Sequence, residues 1–166
     1  METAVFAAGC FWGTEEYFRR LAGVVSTEVG YSGGASVDPS YEEVCTGRTG
    51  HAESLRIEFD PSKIGFEALL AHFFRMHDPT QKDRQGHDVG TQYRSAVFCQ
   101  DEAQRAAAES FISSLTASGK YKKPIATSVE RAAPFYSAEE HHQDYLRKNP
   151  GGYCHVDLSL ASQPLE

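Results

Sequence analysis

Thr3-Ala4-Val5-Phe6-Ala7-Ala8-Gly9-Cys10-Phe11-Trp12-Gly13 passes from an apolar run into a cysteine flanked by glycines and two aromatics. Thr3 to Ala8 predicts a strand. Thr14 to Leu21, with Tyr17, Phe18 and Leu21 on one face, predicts the helix that follows. Cys10 therefore falls at a strand-to-helix turn, where backbone N–H groups and the positive end of the helix dipole favour the thiolate. Gly9 and Gly13 permit a tight backbone turn. Phe11 and Trp12, the only Trp of the chain, put an aromatic wall beside the sulfur that suits a small apolar group such as a methyl. The same residues also read as an inert buried cysteine among core aromatics. Context from the rest of the chain has to decide between the two.

Outward from this turn, strand and helix signals alternate. Val24 to Tyr31 predicts a strand and residues 32–41 a loop rich in turn formers. In Ser54-Leu55-Arg56-Ile57-Glu58-Phe59 the period of two puts Leu55, Ile57 and Phe59 on one buried face. Phe66, Leu69, Leu70, Phe73, Phe74 and His77 have the spacing of a core-facing helix that ends before Pro79. A polar loop over Asp78–Thr91 precedes a strand at Tyr93–Cys99, an Ala-rich helix at Asp101–Ser118 closed by Gly119, and a strand at Ile125–Arg131. Ser137-Ala138-Glu139-Glu140 reads as a capping box opening a helix to about Arg147, stopped by Asn149-Pro150-Gly151-Gly152. The expected organisation is a single catalytic domain over 1–166, with 158–166 a loose tail.

Composition narrows the functional classes. With 166 residues, one domain can bury roughly 70% of the surface of its unfolded chain without a metal or disulfide staple. A net charge of -7 and no long basic run argue against nucleic-acid binding, because phosphate contacts need clustered Lys and Arg. Lys120, Lys122 and Lys123 are read as solvating a turn before Pro124. The first residues show neither a basic leader nor a long apolar stretch, so no membrane span and a cytoplasmic location are expected. Cys10, Cys45, Cys99 and Cys154 form no C-x-x-C pair, so in a reducing compartment their value would lie in reactivity. No metal site is expected: His141 and His142 are adjacent and would diverge by about 100° on a helix.

Glu53 shares the parity of Leu55, Ile57 and Phe59, and points inward if the strand reaches it. A carboxyl among apolar groups is pushed toward its neutral form. Raising a Glu from ~4.3 to near 7 takes about 3.7 kcal/mol, a cost more typical of a catalytic acid than of a structural residue. If the strand begins at Ser54 instead, Glu53 is simply solvated.

Six segments in order, Gly9-Cys10-Phe11-Trp12-Gly13, Gly30-Tyr31-Ser32-Gly33-Gly34, Gly50-His51-Ala52-Glu53, His77-Asp78-Pro79-Thr80, Gly90-Thr91-Gln92-Tyr93-Arg94-Ser95 and Asn149-Pro150-Gly151-Gly152-Tyr153-Cys154, resemble the type A peptide methionine sulfoxide reductases across nearly the whole chain. The fold class expected is α/β (α+β): a two-layer α/β sandwich, ferredoxin-like, a mixed sheet with helices packed on it and a loop-rich C-terminal segment. The resemblance implies that Cys10 attacks the sulfoxide sulfur, Phe11 and Trp12 cradle the methyl, and Glu53 protonates the oxygen. It also implies that Tyr41 and Tyr93 polarise that oxygen and that Asp88 positions substrate. Cys154 would resolve a Cys10 sulfenic acid as a disulfide. Some relatives carry another recycling cysteine further on, and His155–Glu166 contains none, which implies that thioredoxin reduces the Cys10–Cys154 disulfide itself. Substrates would be the S-sulfoxide of methionine, free or in oxidised proteins, with no cofactor beyond thioredoxin or another thiol and with a monomer as the working unit.

Cys45 and Cys99 are read as bystanders, and His51 and His77 as hydrogen-bonded within the fold. From the residues alone, cysteine acyl transfer with a histidine base and a non-enzymatic methionine-binding module remain open. No motif fixes a base histidine.

Overall fold

The computed structural model describes residues 1–165. The elements run β1 (Glu2–Ala8), α1 (Phe11–Arg19), β2 (Val24–Ser32), α2 (Tyr41–Cys45), β3 (Ala52–Phe59), α3 (Phe66–Met76), β4 (Arg84–Gln85), β5 (Asp88–Val89), β6 (Ser95–Cys99), α4 (Glu102–Ser118), β7 (Ser128–Arg131), β8 (Tyr136–Ser137) and α5 (Tyr145–Lys148). Short 3-10 turns cover Thr91–Tyr93, Glu140–His142 and Leu158–Ser162. The main sheet has the order β7-β6-β1-β3-β2-β8, and β4-β5 is a separate hairpin. β1, β2, β3 and β6 are antiparallel neighbours in the order β6-β1-β3-β2, with α1 and α3 as the two crossovers. That is the ferredoxin-like arrangement. α4 then carries the chain to β7, which pairs parallel with β6 and makes the sheet mixed.

The alternation in β3 decides which face is packed. Leu55, Ile57 and Phe59 are buried on the face that α1, α3 and α4 cover, beside Ala4, Phe6 and Ala8 of β1. Phe6 lies at the centre, with ring centroids 4.9 Å from Phe73 of α3 and 5.6 Å from Phe18 of α1. Each such fully buried Phe contributes roughly 1.5–3 kcal/mol. Val5, Ala7, Ala52, Ala96 and Phe98 point the other way and form a smaller cluster under Phe135, whose ring carries the Arg56 guanidinium 4.7 Å above it.

Helix ends follow local chemistry where nothing competes. Asp101 caps α4 through the Gln104 N–H at 2.8 Å, and Gly119 closes it in the left-handed region at φ 71°. Several boundaries depart from the sequence reading. α1 begins at Phe11 rather than Thr14, β6 at Ser95 rather than Tyr93, and β7 at Ser128 rather than Ile125. The 32–41 loop runs into an unforeseen helix, α2, whose Ser40 and Glu43 form a reciprocal capping box.

The box expected at Ser137–Glu140 does not form. Ser137 pairs with Gly30 in the sheet and its hydroxyl donates to Glu28. Glu139 accepts from the Tyr31 hydroxyl and the Tyr41 N–H. Asp144 then adopts φ 52°, which leaves only a 3-10 turn and the short α5 where one helix was expected. Within 158–166, expected as a loose tail, Arg75 donates to the carbonyls of Leu160, Gln163 and Pro164 and ties that stretch down. Glu166 lies outside the described residues.

Candidate active site

The sheet register assembles the site at one edge. Cys10 follows the C-terminal end of β1, Glu53 sits at the start of β3 directly opposite Tyr31 of β2, and Asp88 and Tyr93 precede β6. Since β3 begins at Ala52, Glu53 belongs to the strand and its side chain takes the buried face, with 1% exposure. Gly9 makes the turn into Cys10 at φ 90°, and a side chain there would press to within 2.8 Å of Gln85.

Cys10 is the N-cap of α1 and makes no side-chain capping bond. The cap is supplied from elsewhere: Glu53 Oε1 accepts from the Phe11 N–H at 3.2 Å. Burial pushes the Glu53 carboxyl up to about 8 despite that bond. Oε2 has no partner, so in the neutral acid the proton sits on the oxygen left free to donate it.

The electrostatics of Cys10 correct the expectation of a ready thiolate. Its thiol is pushed far above the ordinary value by burial first and by the Glu53 charge second, and the Trp12 N–H that lowers it is outweighed. Exposure is only 8%, so the helix dipole acts against a larger desolvation. At neutral pH the resting site holds a neutral thiol beside a mostly neutral carboxylic acid.

Two tyrosines complete the polar side. Burial and the Glu53 charge raise Tyr41 and Tyr93 well above the phenol range, which keeps both as hydroxyl donors. Tyr41 opens α2, and its ring lies 4.5 Å from that of His142. Asp88 Oδ2 accepts from the Tyr153 hydroxyl at 2.8 Å, next to Cys154 in the chain. On the apolar side, Trp12 stacks on Tyr145 at 3.8 Å and 12°, while its Nε1–H donates to His142 Nδ1 at 3.1 Å. Phe11 packs between Tyr31 and His142 at 5.7 and 5.4 Å.

A family-wide profile described as peptide methionine sulfoxide reductase matches residues 2–166. The chain belongs to that family. A relative from Methanoculleus marisnigri named peptide methionine sulfoxide reductase MsrA is 51% identical, with 93% of this chain and 94% of the relative covered. Mxr1 of Saccharomyces cerevisiae in reduced form superposes with a TM-score of 0.86 at 39% identity, covering 92% of this chain and 88% of the yeast chain. Mxr1 in complex with Trx2 is similar at a TM-score of 0.58 and 26% identity, over 87% and 84% of the two chains.

All eight residues singled out from the sequence reach this edge or its border. The same edge gathers further residues that the sequence reading passed over. His142, Glu139 and Tyr145 lay inside a presumed helix, where their side chains had no assigned target. Tyr153 stood within a quoted motif but without a role. Cys45, read as a bystander, lies beside the hydroxyl of Tyr41 and feels the Glu53 charge. His77 is hydrogen-bonded as expected, to the Phe73 carbonyl and Ser95 Oγ, whereas His51 packs edge-on against Tyr136.

Proposed function

We propose that the chain reduces the S-sulfoxide of methionine, free or within oxidised proteins, through a Cys10 sulfenic acid and a Cys10–Cys154 disulfide that thioredoxin reduces. The observation that carries this reading is the buried neutral acid at Glu53, held by the first N–H after the nucleophile, with its second oxygen unpartnered. Glu53 donates a proton to the sulfoxide oxygen while Tyr41 and Tyr93 hydrogen-bond to it. Phe11 and Trp12 hold the methyl, and Asp88, through Tyr153, shapes the rim. Cys10 sulfur takes the oxygen as Cys10–S–OH, its thiol proton replaces the one lent by Glu53, and methionine leaves reduced by two electrons. The Cys154 thiol then displaces the hydroxyl as water, forming the disulfide. Thioredoxin returns two electrons by thiol exchange, the partner class with which the yeast relative was crystallised.

Every residue in this scheme comes from one chain, which suits a monomer built as one catalytic unit. A reducing compartment such as the cytoplasm suits a fold whose core closes on aromatic and aliphatic packing rather than on a disulfide. The acyl-transfer alternative is disfavoured because the side chains that act on Cys10 include the acids Glu53 and Asp88, which hold its thiol protonated, and the imidazole beside the turn, His155, spends Nε2 on the Ala8 carbonyl.

Cys154→Ser tests the assignment. Single-turnover assays with each sulfoxide epimer are expected to give one methionine per protein from the S form only, then stop with thioredoxin as donor. A sulfenic-acid reagent should label Cys10 in this variant and hardly in wild type. Normal thioredoxin-driven turnover of Cys154→Ser would return the resolving role to Cys45 or Cys99.

A further inference from the structure

The residue after Cys154 is a histidine that the scheme above does not use. His155 Nε2 lies 2.8 Å from the Ala8 carbonyl, the last residue of β1 before the Gly9–Cys10 turn. A carbonyl only accepts, so Nε2 carries the proton and, in the neutral ring, Nδ1 carries the lone pair. That Nδ1 is buried and has no hydrogen-bond partner. Its position is informative, because a Cβ added to Gly13 of α1 would lie 3.0 Å from Cys154 Sγ and 3.2 Å from His155 Nδ1. Thiol and lone pair converge on the same bare spot of the helix, one turn from Cys10. The segment is fastened on both sides of the thiol, by Tyr153 to Asp88 and by His155 to Ala8.

We propose that His155 is the general base of the resolving step: Nδ1 takes the Cys154 proton as its sulfur attacks the Cys10 sulfenic acid. The Cys154–Cys10 S–S bond forms, the Cys10 S–O bond breaks, and His155 passes the proton to the departing hydroxide, which leaves as water. No outside oxidant or reductant enters. In the resting structure the thiol faces the Val156 carbonyl at 3.4 Å, so the side chain turns from that carbonyl to Nδ1 before reacting. The inference rests on the Cys10–Cys154 disulfide proposed above.

The surroundings make such a base necessary and available. Burial raises the Cys154 thiol, with Glu16 adding to the rise and Arg20 of the same helical neighbourhood opposing it. Burial also lowers His155, opposed by its bond to Ala8 and by Asp88, so the ring stays neutral. The other titratable neighbours are Cys10 and His77, and both His77 nitrogens are already engaged. A thiol held protonated beside a neutral imidazole with an open lone pair is the arrangement general base catalysis requires.

His155→Gln separates base from tether, since the Gln amide can donate to the Ala8 carbonyl as Nε2–H does but accepts no proton. Reduced protein is mixed with excess methionine sulfoxide without reductant, quenched in acid, and assayed for methionine formed and Cys154 thiol lost. Expected is an unchanged methionine burst, with Cys154 loss slowed at least roughly tenfold at pH 7 and the deficit shrinking as pH rises above 9. Cys154 loss at the wild-type rate in His155→Gln would overturn the proposal and leave His155 a tether. Should that variant misfold, wild type alone decides: its closure rate should plateau near neutrality with an acid limb below pH 6.5. A rate climbing tenfold per pH unit through pH 9 would overturn the base role. Methionine formation in wild type without Cys154 loss would instead overturn the disulfide reading on which it stands.

Discussion

The two thiols proposed to carry the redox chemistry sit in regions built on different principles. Cys10 stands between β1 and α1, where the sheet ladder, the Phe6 cluster and the Glu53 cap fix the backbone on every side. Cys154 lies in a segment of short turns tied to the rest by side chains, among them Gln143 on the Val29 backbone, Glu15 on the Asp144 N–H, Tyr153 on Asp88, His155 on Ala8 and Arg75 on the last carbonyls, and by Val156, Leu158 and Leu160 packed on the core. The difference matches the two tasks. A nucleophile that must meet one sulfoxide geometry gains from a rigid mount. For a thiol proposed to reach Cys10 and then expose a disulfide to another protein, a mount of short turns has no strand ladder to break.

The strongest way to break the comparison is to remove the rigid thiol. Cys10→Ser is expected to abolish reductase activity while leaving the melting temperature within about 2 °C, because the change is nearly isosteric at a site without a capping bond. Turnover above about a tenth of wild type would take the nucleophile role from Cys10.

Glu53→Gln should lower the oxygen-transfer rate on the order of 10²-fold, with the loss shrinking in acid where solvent can supply the proton. In wild type the same rate should fall as pH rises through about 8, where Glu53 gives up its proton. The stability effect has the opposite sense. Because the folded-state value lies above the unfolded one of 4.5, the contribution of Glu53 to stability is fully present below pH 4.5 and is lost as pH rises toward 8. Glu53→Gln is freed from that decline, so at pH 7.5 it should be more stable than wild type by on the order of 3 kcal/mol. Urea melts of both proteins at pH 5 and 7.5 measure the crossover.

Gly13→Ala acts where the two regions touch. Alanine is favoured over glycine inside a helix by about 1 kcal/mol, but its methyl would crowd Cys154 Sγ, His155 Nδ1 and Val156 at 3.0–3.2 Å. Oxygen transfer is expected to stay within about twofold while closure of the disulfide slows roughly fivefold or more, since small misplacements weigh heavily on a positioned reaction. Equal slowing of both steps would show that the two regions are not separable. The smallest effect is expected from Arg75→Leu, which frees the 160–164 carbonyls and costs about 1–2 kcal/mol, visible as a few degrees in the melting temperature with activity unchanged.

Two capping boxes show how far local sequence reaches. Ser40-Tyr41-Glu42-Glu43 forms the box and starts α2, because its donors and acceptors have no other partner. Ser137-Ala138-Glu139-Glu140 has the same Ser and Glu residues at the first, third and fourth places and does not, because Ser137 is drawn into the sheet beside Gly30 and Glu139 to Tyr31 and Tyr41. Periodicity, which summarises many residues, located β1, β3, α3 and α4 within one or two residues. A four-residue motif was at the mercy of its tertiary neighbours.

The sequence by itself determined the strand-to-helix turn at Cys10 through hydrophobic period, and through its ordered motifs the resemblance that carried the family and the ferredoxin-like frame; it left Glu53 open between an inward face and solvent, which the start of β3 at Ala52 decided. Only the tertiary structure decided the protonation of the site and the setting of Cys154. Desolvation is a property of what surrounds an atom, and the contacts that tie Glu53 to the Phe11 N–H and His155 to the Ala8 carbonyl join segments more than forty residues apart in sequence and adjacent only once the sheet has formed.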